Sequence, residues 1–123
     1  MKILTIDDSK LALLQVERVI KDLVPNAEVI KTQDPHKGVE IAKTQHVEIG
    51  FVIVDYNMEA MTGIDVIDAI LPCFKATQLS LLTANTQFAI KNEAEKRGIH
   101  FLSKDGLKEQ LENILKKILV GTA

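Results

Sequence analysis

Three acidic residues follow two apolar segments of the chain and could together bind a metal ion. Asp7 and Asp8 come directly after the segment KILTI, and Asp55 comes directly after GFVIV. If both segments are strands of one parallel sheet, their carboxyl ends lie at the same edge and the three carboxylates share one small site. At about 4 Å and an effective dielectric constant of about 20, two carboxylates repel by roughly 4 kcal/mol, so the cluster needs a cation. Oxygen ligands of this kind suit Mg²⁺. Helix capping would explain one of the aspartates but not all three.

Two further polar residues stand at the ends of later apolar segments. Thr83 follows QLSLL, and Lys104 follows HFLS. A parallel sheet would place both at the same edge as the aspartates, and the whole set suits phosphoryl transfer to a carboxylate. Asp55 would offer the nucleophilic oxygen, while Asp7 and Asp8 would hold Mg²⁺. Thr83 would donate a hydrogen bond to a phosphoryl oxygen, and Lys104 would supply a positive charge.

The elements that must position these residues alternate regularly along the chain. Five short segments rich in Val, Ile, Leu and Phe are predicted to be strands. They are Lys2–Ile6, Ala27–Thr32, Gly50–Val54, Gln78–Leu82 and Ile99–Leu102. The first, third and fourth are almost wholly apolar, which is typical of strands buried on both faces, and the more mixed second and fifth are expected near the edges. We therefore predict a doubly wound (βα)5 fold of the α/β class, with a five-stranded parallel sheet and helices on both faces.

Amphipathic segments between the strands are predicted to be helices. They are Ser9–Leu23, Asp34–Gln45, Ile64–Leu71, Thr86–Arg97 and Gly106–Leu119. Ser9 and Asp34 are suited to N-capping, Pro72 should end the third helix, and Gly98 and Gly121 should end the last two. In the first helix, the residues expected on one broad apolar side are Leu11, Leu14, Val16, Val19, Ile20 and Leu23.

Size, charge and cysteine content restrict the classes of function. With 123 residues, the chain is predicted to be a single domain, 1–123, with no output domain. A net charge of −2 gives no footprint for nucleic acid or an anionic membrane, so the expected partners are proteins or small ions. The single cysteine, Cys73, allows no internal disulfide, and no signal peptide or membrane-spanning stretch is evident. We expect a cytoplasmic location.

The ordered set of polar residues resembles the response-regulator receiver family, and in particular its stand-alone chemotaxis regulators, over essentially the whole chain. The resemblance is carried by the pair Asp7 and Asp8, the segment D-Y-N-M-E-A-M-T-G that begins at Asp55, Thr83 in LLTAN, and Lys104 in HFLSK. It implies the flavodoxin-like strand order 2-1-3-4-5 and Mg²⁺-dependent phosphorylation of Asp55 by a histidine kinase or histidine phosphotransfer protein. It also implies a phosphoacceptor, capable of autodephosphorylation, rather than a turnover enzyme.

The resemblance assigns further roles. The backbone carbonyl of Asn57 would complete the protein ligands of Mg²⁺ beside the three aspartates, and Asn57 and Asn85 fall where family members set the lifetime of the aspartyl phosphate. Phe101 occupies the aromatic switch position, which rearranges together with Thr83. Phosphorylation would change the surface of the fourth helix, fifth strand and fifth helix for binding an effector protein. Residues expected on that surface are Ile90, Lys91, Glu95, Phe101 and Gln110. We expect a monomer, with phosphorylation-dependent dimerisation as an alternative.

The sequence departs from the family pattern at two positions. Glu59 stands where the acceptor segment usually has Pro, which adds a charge near the site. Asp105 stands where Pro usually follows the lysine, often through a cis bond. A cis bond before a residue other than proline costs about 2.5 to 4 kcal/mol, so two outcomes are open. Either the cis geometry is retained, or the bond is trans and Lys104 approaches the site differently.

Three other functions are consistent with parts of the pattern. A Mg²⁺-dependent phosphohydrolase would use Asp55 as its nucleophile, but such enzymes commonly have an acidic residue two positions later, where Asn57 stands and cannot transfer a proton. A flavin-binding module would place a phosphate at the first strand-to-helix turn, but the turn D-D-S-K is acidic and has no glycine. The third alternative is a receiver-like binding module that is not phosphorylated.

Overall fold

Five strands and five helices alternate along the chain. The computed structural model describes residues 1–84 and 88–119. The strands are β1 (Lys2–Ile6), β2 (Glu28–Thr32), β3 (Ile49–Asp55), β4 (Leu79–Thr83) and β5 (His100–Ser103). The helices are α1 (Lys10–Leu23), α2 (Pro35–Gln45), α3 (Gly63–Ile70), α4 (Phe88–Arg97) and α5 (Leu107–Leu119), and two short 3₁₀ turns, Leu71–Cys73 and Ala76–Gln78, precede β4. Asn85, Thr86 and Gly121 lie outside the described residues.

The strands form one parallel sheet in the order β2-β1-β3-β4-β5. All five residues of β4 are buried, whereas β2 at one edge and β5 at the other are only partly buried. The predicted fold class and strand order are confirmed, as is the expectation that the two mixed segments form the edges. In this order β1 and β3 are neighbours although α1, β2 and α2 lie between them in the sequence, so the chain reverses its direction of winding there. The sheet edge at such a reversal is where open α/β folds bind ligands.

Two apolar clusters cover the two faces of the sheet. Because side chains alternate along a strand, Val52 and Val54 of β3 face one cluster, whereas Phe51 and Ile53 face the other. Helices α2, α3 and α4 pack on the first face, and α1 and α5 pack on the second. The prediction of helices on both faces is therefore confirmed.

Local capping fixes where three of the helices begin. The Ser9 side chain accepts a hydrogen bond from the Ala12 amide (3.2 Å), and the Asp34 side chain accepts one from the His36 amide (2.9 Å), as the sequence predicts. Helix α3 begins with a capping box, in which the Thr62 hydroxyl and the carboxylate of the third helical residue accept from each other's backbone amides. This capping box was not predicted from the sequence.

The inward face of α1 differs from the prediction. Leu11 and Leu14, expected on the apolar side, are 65% and 47% exposed, whereas Leu13 is 4% exposed. At 3.6 residues per turn, Leu13, Val16 and Ile20 follow one another along one side of the helix, and Leu11 lies nearly opposite them. The expectation for Leu11 and Leu14 was therefore wrong.

Candidate functional site

The three aspartates meet at the carboxyl edge of the sheet. Strands β1 and β3 are paired in parallel with Ile6 beside Val54, so the next residues, Asp7 and Asp55, leave the two strands side by side. One carboxylate oxygen from each of Asp7, Asp8 and Asp55 can be chosen so that the three atoms lie within 4.8 Å of one another. Asp7 and Asp55 are 4% and 5% exposed, whereas Asp8 is exposed. Two of the three carboxylates are thus buried, and their mutual repulsion is strong because water screens it little.

Asp7 has one satisfied and one unsatisfied oxygen. Its Oδ1 accepts a hydrogen bond from the Ser9 amide at 2.9 Å, which orients the carboxylate at the start of α1. Its buried Oδ2 has no hydrogen-bond partner among the described residues. Burial raises the pKa of Asp7, and the hydrogen bond from Ser9 and the charge of Lys104 oppose that rise. A buried carboxylate oxygen without a donor, beside two further carboxylates, has the chemistry of a ligand for a hard divalent cation such as Mg²⁺.

Asp55 has the most strongly raised pKa of the acidic cluster. Burial, and then the negative charge of Asp7, raise the pKa of Asp55 to about 6, although Lys104 counteracts this. The Lys104 ammonium lies 3.4 Å from Asp55 Oδ1 and 3.8 Å from Asp7 Oδ2. One cation therefore lies close to both buried carboxylates. At neutral pH, Asp55 is mainly ionised and can act as a nucleophile.

Asp8 is oriented by the main chain of the loop after β3. The Glu59 amide donates to Asp8 Oδ2 at 3.2 Å, and the Gln33 side chain donates to the Asp8 carbonyl at 3.2 Å. Proline has no amide hydrogen, so this contact to Oδ2 depends on the departure from the family pattern at position 59. The Glu59 side chain is exposed. The sequence predicted only that Glu59 adds a charge near the site. In the structure, its backbone amide is also a hydrogen-bond donor to Asp8.

The loop after β3 is shaped by a close approach at Gly63. The Gly63 amide donates to the Tyr56 carbonyl, and the Tyr56 amide donates to the Leu82 carbonyl, each at 2.9 Å. A Cβ atom at Gly63 would lie 2.5 Å from the Asp55 carbonyl oxygen, a distance that Cβ atoms essentially never show. Glycine is required here because the first turn of α3 touches the backbone that carries Asp55.

Lys104 is positioned by β4 and by the start of α5. Its amide donates to the Thr83 carbonyl at 3.1 Å, and its peptide bond to Asp105 is trans. Of the two outcomes left open by the sequence, the trans bond is observed. Three hydrogen bonds from the Gln110 side chain also hold this loop: Oε1 accepts from the Ser103 amide (2.9 Å), and Nε2 donates to the carbonyls of Ser103 (3.2 Å) and Asp105 (3.0 Å). Gln110 was predicted on an outer surface and this contact was not predicted, because a glutamine on the polar side of an amphipathic helix carries no local signal of its partners.

The remaining predicted residues lie around the same edge. Thr83 is the last residue of β4 and is 1% exposed, one position beyond Leu82, which pairs with Asp55. Phe101 is half-buried on β5 and packs against the apolar cluster that includes residues of α4. Asn57 is exposed in the loop after β3, and Asn85 lies outside the described residues. The structure thus brings together Asp7, Asp8, Asp55 and Lys104, with Thr83 at the adjoining strand end.

The chain is similar to known signalling proteins. The family model for the response regulator receiver domain matches residues 3–116. Stress response regulator protein 1 of Debaryomyces hansenii is 31% identical over 84 residues, which are 68% of this chain and 34% of the relative. The chain therefore spans about a third of the length of that curated relative.

Among the described residues, none of the helices has the length and apolar character needed to cross a lipid bilayer.

Solved structures show the same fold. The chemotaxis protein CheY4 of Vibrio cholerae is 28% identical with a TM-score of 0.76, over 95% of this chain and 97% of that chain. A receiver domain protein from Clostridium thermocellum is 22% identical with a TM-score of 0.84, over 98% and 94% of the two chains. The CheX–CheY–BeF3–Mg²⁺ complex from Borrelia burgdorferi matches at 19% identity with a TM-score of 0.82, over 97% and 89%. Because the family model covers almost the whole chain, the chain belongs to the response regulator receiver domain family, whose members are phosphoacceptor domains of two-component signalling.

Proposed function

We propose that Asp55 accepts a phosphoryl group from a phosphohistidine of a histidine kinase or histidine phosphotransfer protein, in a reaction that requires Mg²⁺. The observation that carries the proposal is the arrangement of two buried carboxylates with one cation. Lys104 lies 3.4 Å from Asp55 and 3.8 Å from Asp7, and Asp7 Oδ2 has no hydrogen-bond donor among the residues described. A divalent cation would satisfy that oxygen and remove the repulsion between the carboxylates.

The residues of the chain have distinct tasks in this reaction. An oxygen of Asp55 attacks the phosphorus, so a P–O bond forms while the P–N bond breaks and its electron pair leaves with the imidazole nitrogen. Lys104, already beside Asp55 Oδ1, offsets the negative charge that arrives with the phosphoryl group. Asp7, Asp8 and Asp55, with the carbonyl of Asn57, would hold Mg²⁺, which when bound supplies further positive charge to the transferring group.

The proposed switch runs from Thr83 to the face covered by α4. The register pairs Leu81 with Phe101 and Thr83 with Ser103. Because side chains two residues apart share a face, Thr83 lies on the same face as Leu81, which belongs to the cluster that Phe101 and α4 pack against. We propose that Thr83 moves toward the phosphoryl group, that Phe101 rearranges with it, and that the surface of α4, β5 and α5 then binds an effector protein.

The alternatives are less well supported. A phosphohydrolase needs a proton donor for the leaving group, and the residue two positions after Asp55 is the exposed amide Asn57. A binding module that is not phosphorylated has no need for the convergence of three carboxylates with Lys104. Steady turnover of an aryl phosphate would favour the first alternative, and failure to bind Mg²⁺ would favour the second.

The test is labelling by a small phosphodonor such as acetyl phosphate, with and without Mg²⁺. We expect the wild-type protein to be labelled on one residue in the presence of Mg²⁺ and not to be labelled in its absence. Asp55→Asn should lose labelling by at least about a hundredfold, because the amide is not a nucleophile. Asp22→Asn, which removes an exposed aspartate of α1 that contacts Lys108, is the matched control and should be labelled like wild type. Equal labelling of wild type and Asp55→Asn would contradict the proposal.

A further inference from the structure

The segment between β5 and α5, which carries Lys104, is short and exposed. Lys104, Asp105 and Gly106 are all exposed, and Gly106 has a φ of 71°, in the left-handed region. Neither residue after Lys104 is proline, so the backbone dihedral angles between β5 and α5 are not limited by a ring. Yet Lys104 must hold its ammonium group within hydrogen-bonding range of Asp55. Some other group has to restrict this segment.

The side chain of Gln110 contacts the main chain on both sides of Lys104. Its carbonyl oxygen accepts from the Ser103 amide, and its amide nitrogen donates to the Ser103 and Asp105 carbonyls, at distances between 2.9 and 3.2 Å. The residue before Lys104 and the residue after it are therefore attached to the same amide group. Because Gln110 belongs to α5, which is anchored in the core by Leu107 and Leu111, it ties the segment to a fixed element.

Two weaker contacts complete the restraint. The Lys104 amide donates to the Thr83 carbonyl at 3.1 Å, and the Asp105 amide donates to the Ser103 hydroxyl at 3.3 Å. Each of these fixes a single group, whereas Gln110 contacts the backbone of the residue before Lys104 and of the residue after it. A glutamine amide is able to do this because it carries an acceptor and two donors in one plane.

We propose that Gln110 is a positioning residue: its amide holds the backbone around Lys104 so that the ammonium group faces the Asp55 carboxylate during phosphoryl transfer. The inference rests on the proposed function and adds to it a residue that touches neither the phosphoryl group nor the metal. In family members with proline after the lysine, the proline ring restricts this backbone. In this chain, the Gln110 side chain would restrict it instead. Gln110 is thus committed to the site, in addition to any contact with a partner.

The test compares Gln110→Ala and Gln110→Met with Asn113→Ala, an exposed amide on the next turn of α5. Labelling by acetyl phosphate is measured at saturating Mg²⁺ across donor concentrations, and thermal melting checks that each variant is folded. Both Gln110 variants should lower the maximal labelling rate about tenfold, since misplacing a catalytic group by a fraction of an ångström to one ångström costs up to about a hundredfold. Asn113→Ala should retain the wild-type rate. Gln110→Met preserves the side-chain volume, so it remains informative if Gln110→Ala does not fold.

A double-mutant cycle distinguishes positioning from general support of the fold. In the Lys104→Ala background, Gln110→Met should have no further effect on the residual labelling rate, although its effect on the melting temperature should persist. An equal loss of rate in both backgrounds, or a wild-type rate for Gln110→Met, would overturn the inference while leaving the proposed function intact. Absence of Mg²⁺-dependent labelling in the wild-type protein would overturn both.

Discussion

At the scale of single residues, the candidate site depends on backbone groups as much as on side chains. Asp8 is the only exposed carboxylate of the three, so packing does not fix its direction. The Glu59 amide donates to its Oδ2 at 3.2 Å and so orients it toward Asp7 and Asp55. This is a contact behind the proposed metal ligands, of the kind that tunes the affinity of a site without touching the ion.

We predict that Glu59→Pro weakens Mg²⁺ binding about tenfold, because proline removes the amide that orients Asp8. Glu59→Ala keeps the amide and should stay within about twofold of wild type, since an exposed carboxylate beside the site adds little in the presence of salt. Isothermal titration with MgCl₂ measures both, and melting without Mg²⁺ monitors folding. Equal weakening in the two variants would show that the Glu59 side chain, rather than its amide, matters.

At the scale of secondary-structure elements, strands were easier to predict than helix faces. The apolar segments predict all five strands to within about one residue. The clearest are β1, β3 and β4, because strands buried on both faces leave a continuous apolar run. Helix α1 begins with LALLQV after Lys10, where several apolar stripes are nearly equivalent. The packing of α1 against α5, β1 and β2 decides between them, and Leu13 rather than Leu11 or Leu14 is buried.

Two leucines of α1 provide a test of this face. Leu13→Ala should lower the free energy of unfolding by about 2 to 4 kcal/mol, because it leaves a cavity on the buried side of α1. Leu14→Ala should change it by less than about 0.5 kcal/mol, since Leu14 is half-exposed. Urea denaturation without Mg²⁺ measures the two losses under the same conditions. Similar losses would mean that α1 is rotated from the orientation described.

The parts of the site that follow from strand topology were predictable, whereas the parts that depend on the packing of loops and helices were not. Asp7, Asp55, Thr83 and Lys104 could be grouped from sequence, because the carboxyl ends of parallel strands meet whatever the details of packing. The contacts of Gln110 could not, since they depend on the path of the loop between β5 and α5 and on which side of α5 faces it. The amide of residue 59 could not either, because every residue except proline has one.

At the scale of the whole molecule, the acidic site is coupled to global stability. Burial raises the pKa of both Asp7 and Asp55, so ionisation of these carboxylates at neutral pH opposes folding. A ligand that binds only the folded state stabilises it by mass action. Mg²⁺ should therefore raise the melting temperature, and the increase should be smaller in Asp55→Asn, which lacks one proposed ligand and one repelling charge.

The raised pKa of Asp55 makes the stability of the folded protein depend on pH. The folded pKa of Asp55 is about 6, above its ordinary value of 3.8, so between these values the folded state binds more protons than the unfolded state. The associated stability is fully present below about pH 4 and is lost as the pH rises through 6, a loss of about 3 kcal/mol for this group. The raised pKa of Asp7 acts in the same direction and the depressed pKa of His100 acts in the opposite direction, so the wild-type curve alone mixes several effects.

Comparing wild type with Asp55→Asn at each pH isolates the contribution of Asp55. In urea denaturation without Mg²⁺, from pH 4 to 7.5, we expect the stability of Asp55→Asn relative to wild type to increase with pH by about 3 kcal/mol, with most of the change centred between pH 4 and 6. Asp22→Asn, the exposed control, should run parallel to wild type. A difference that does not vary with pH would mean that Asp55 is not held in a desolvated, acidic site. Excess Mg²⁺ should reduce the difference at pH 7, because the ion replaces the proton as the group that neutralises the buried carboxylates.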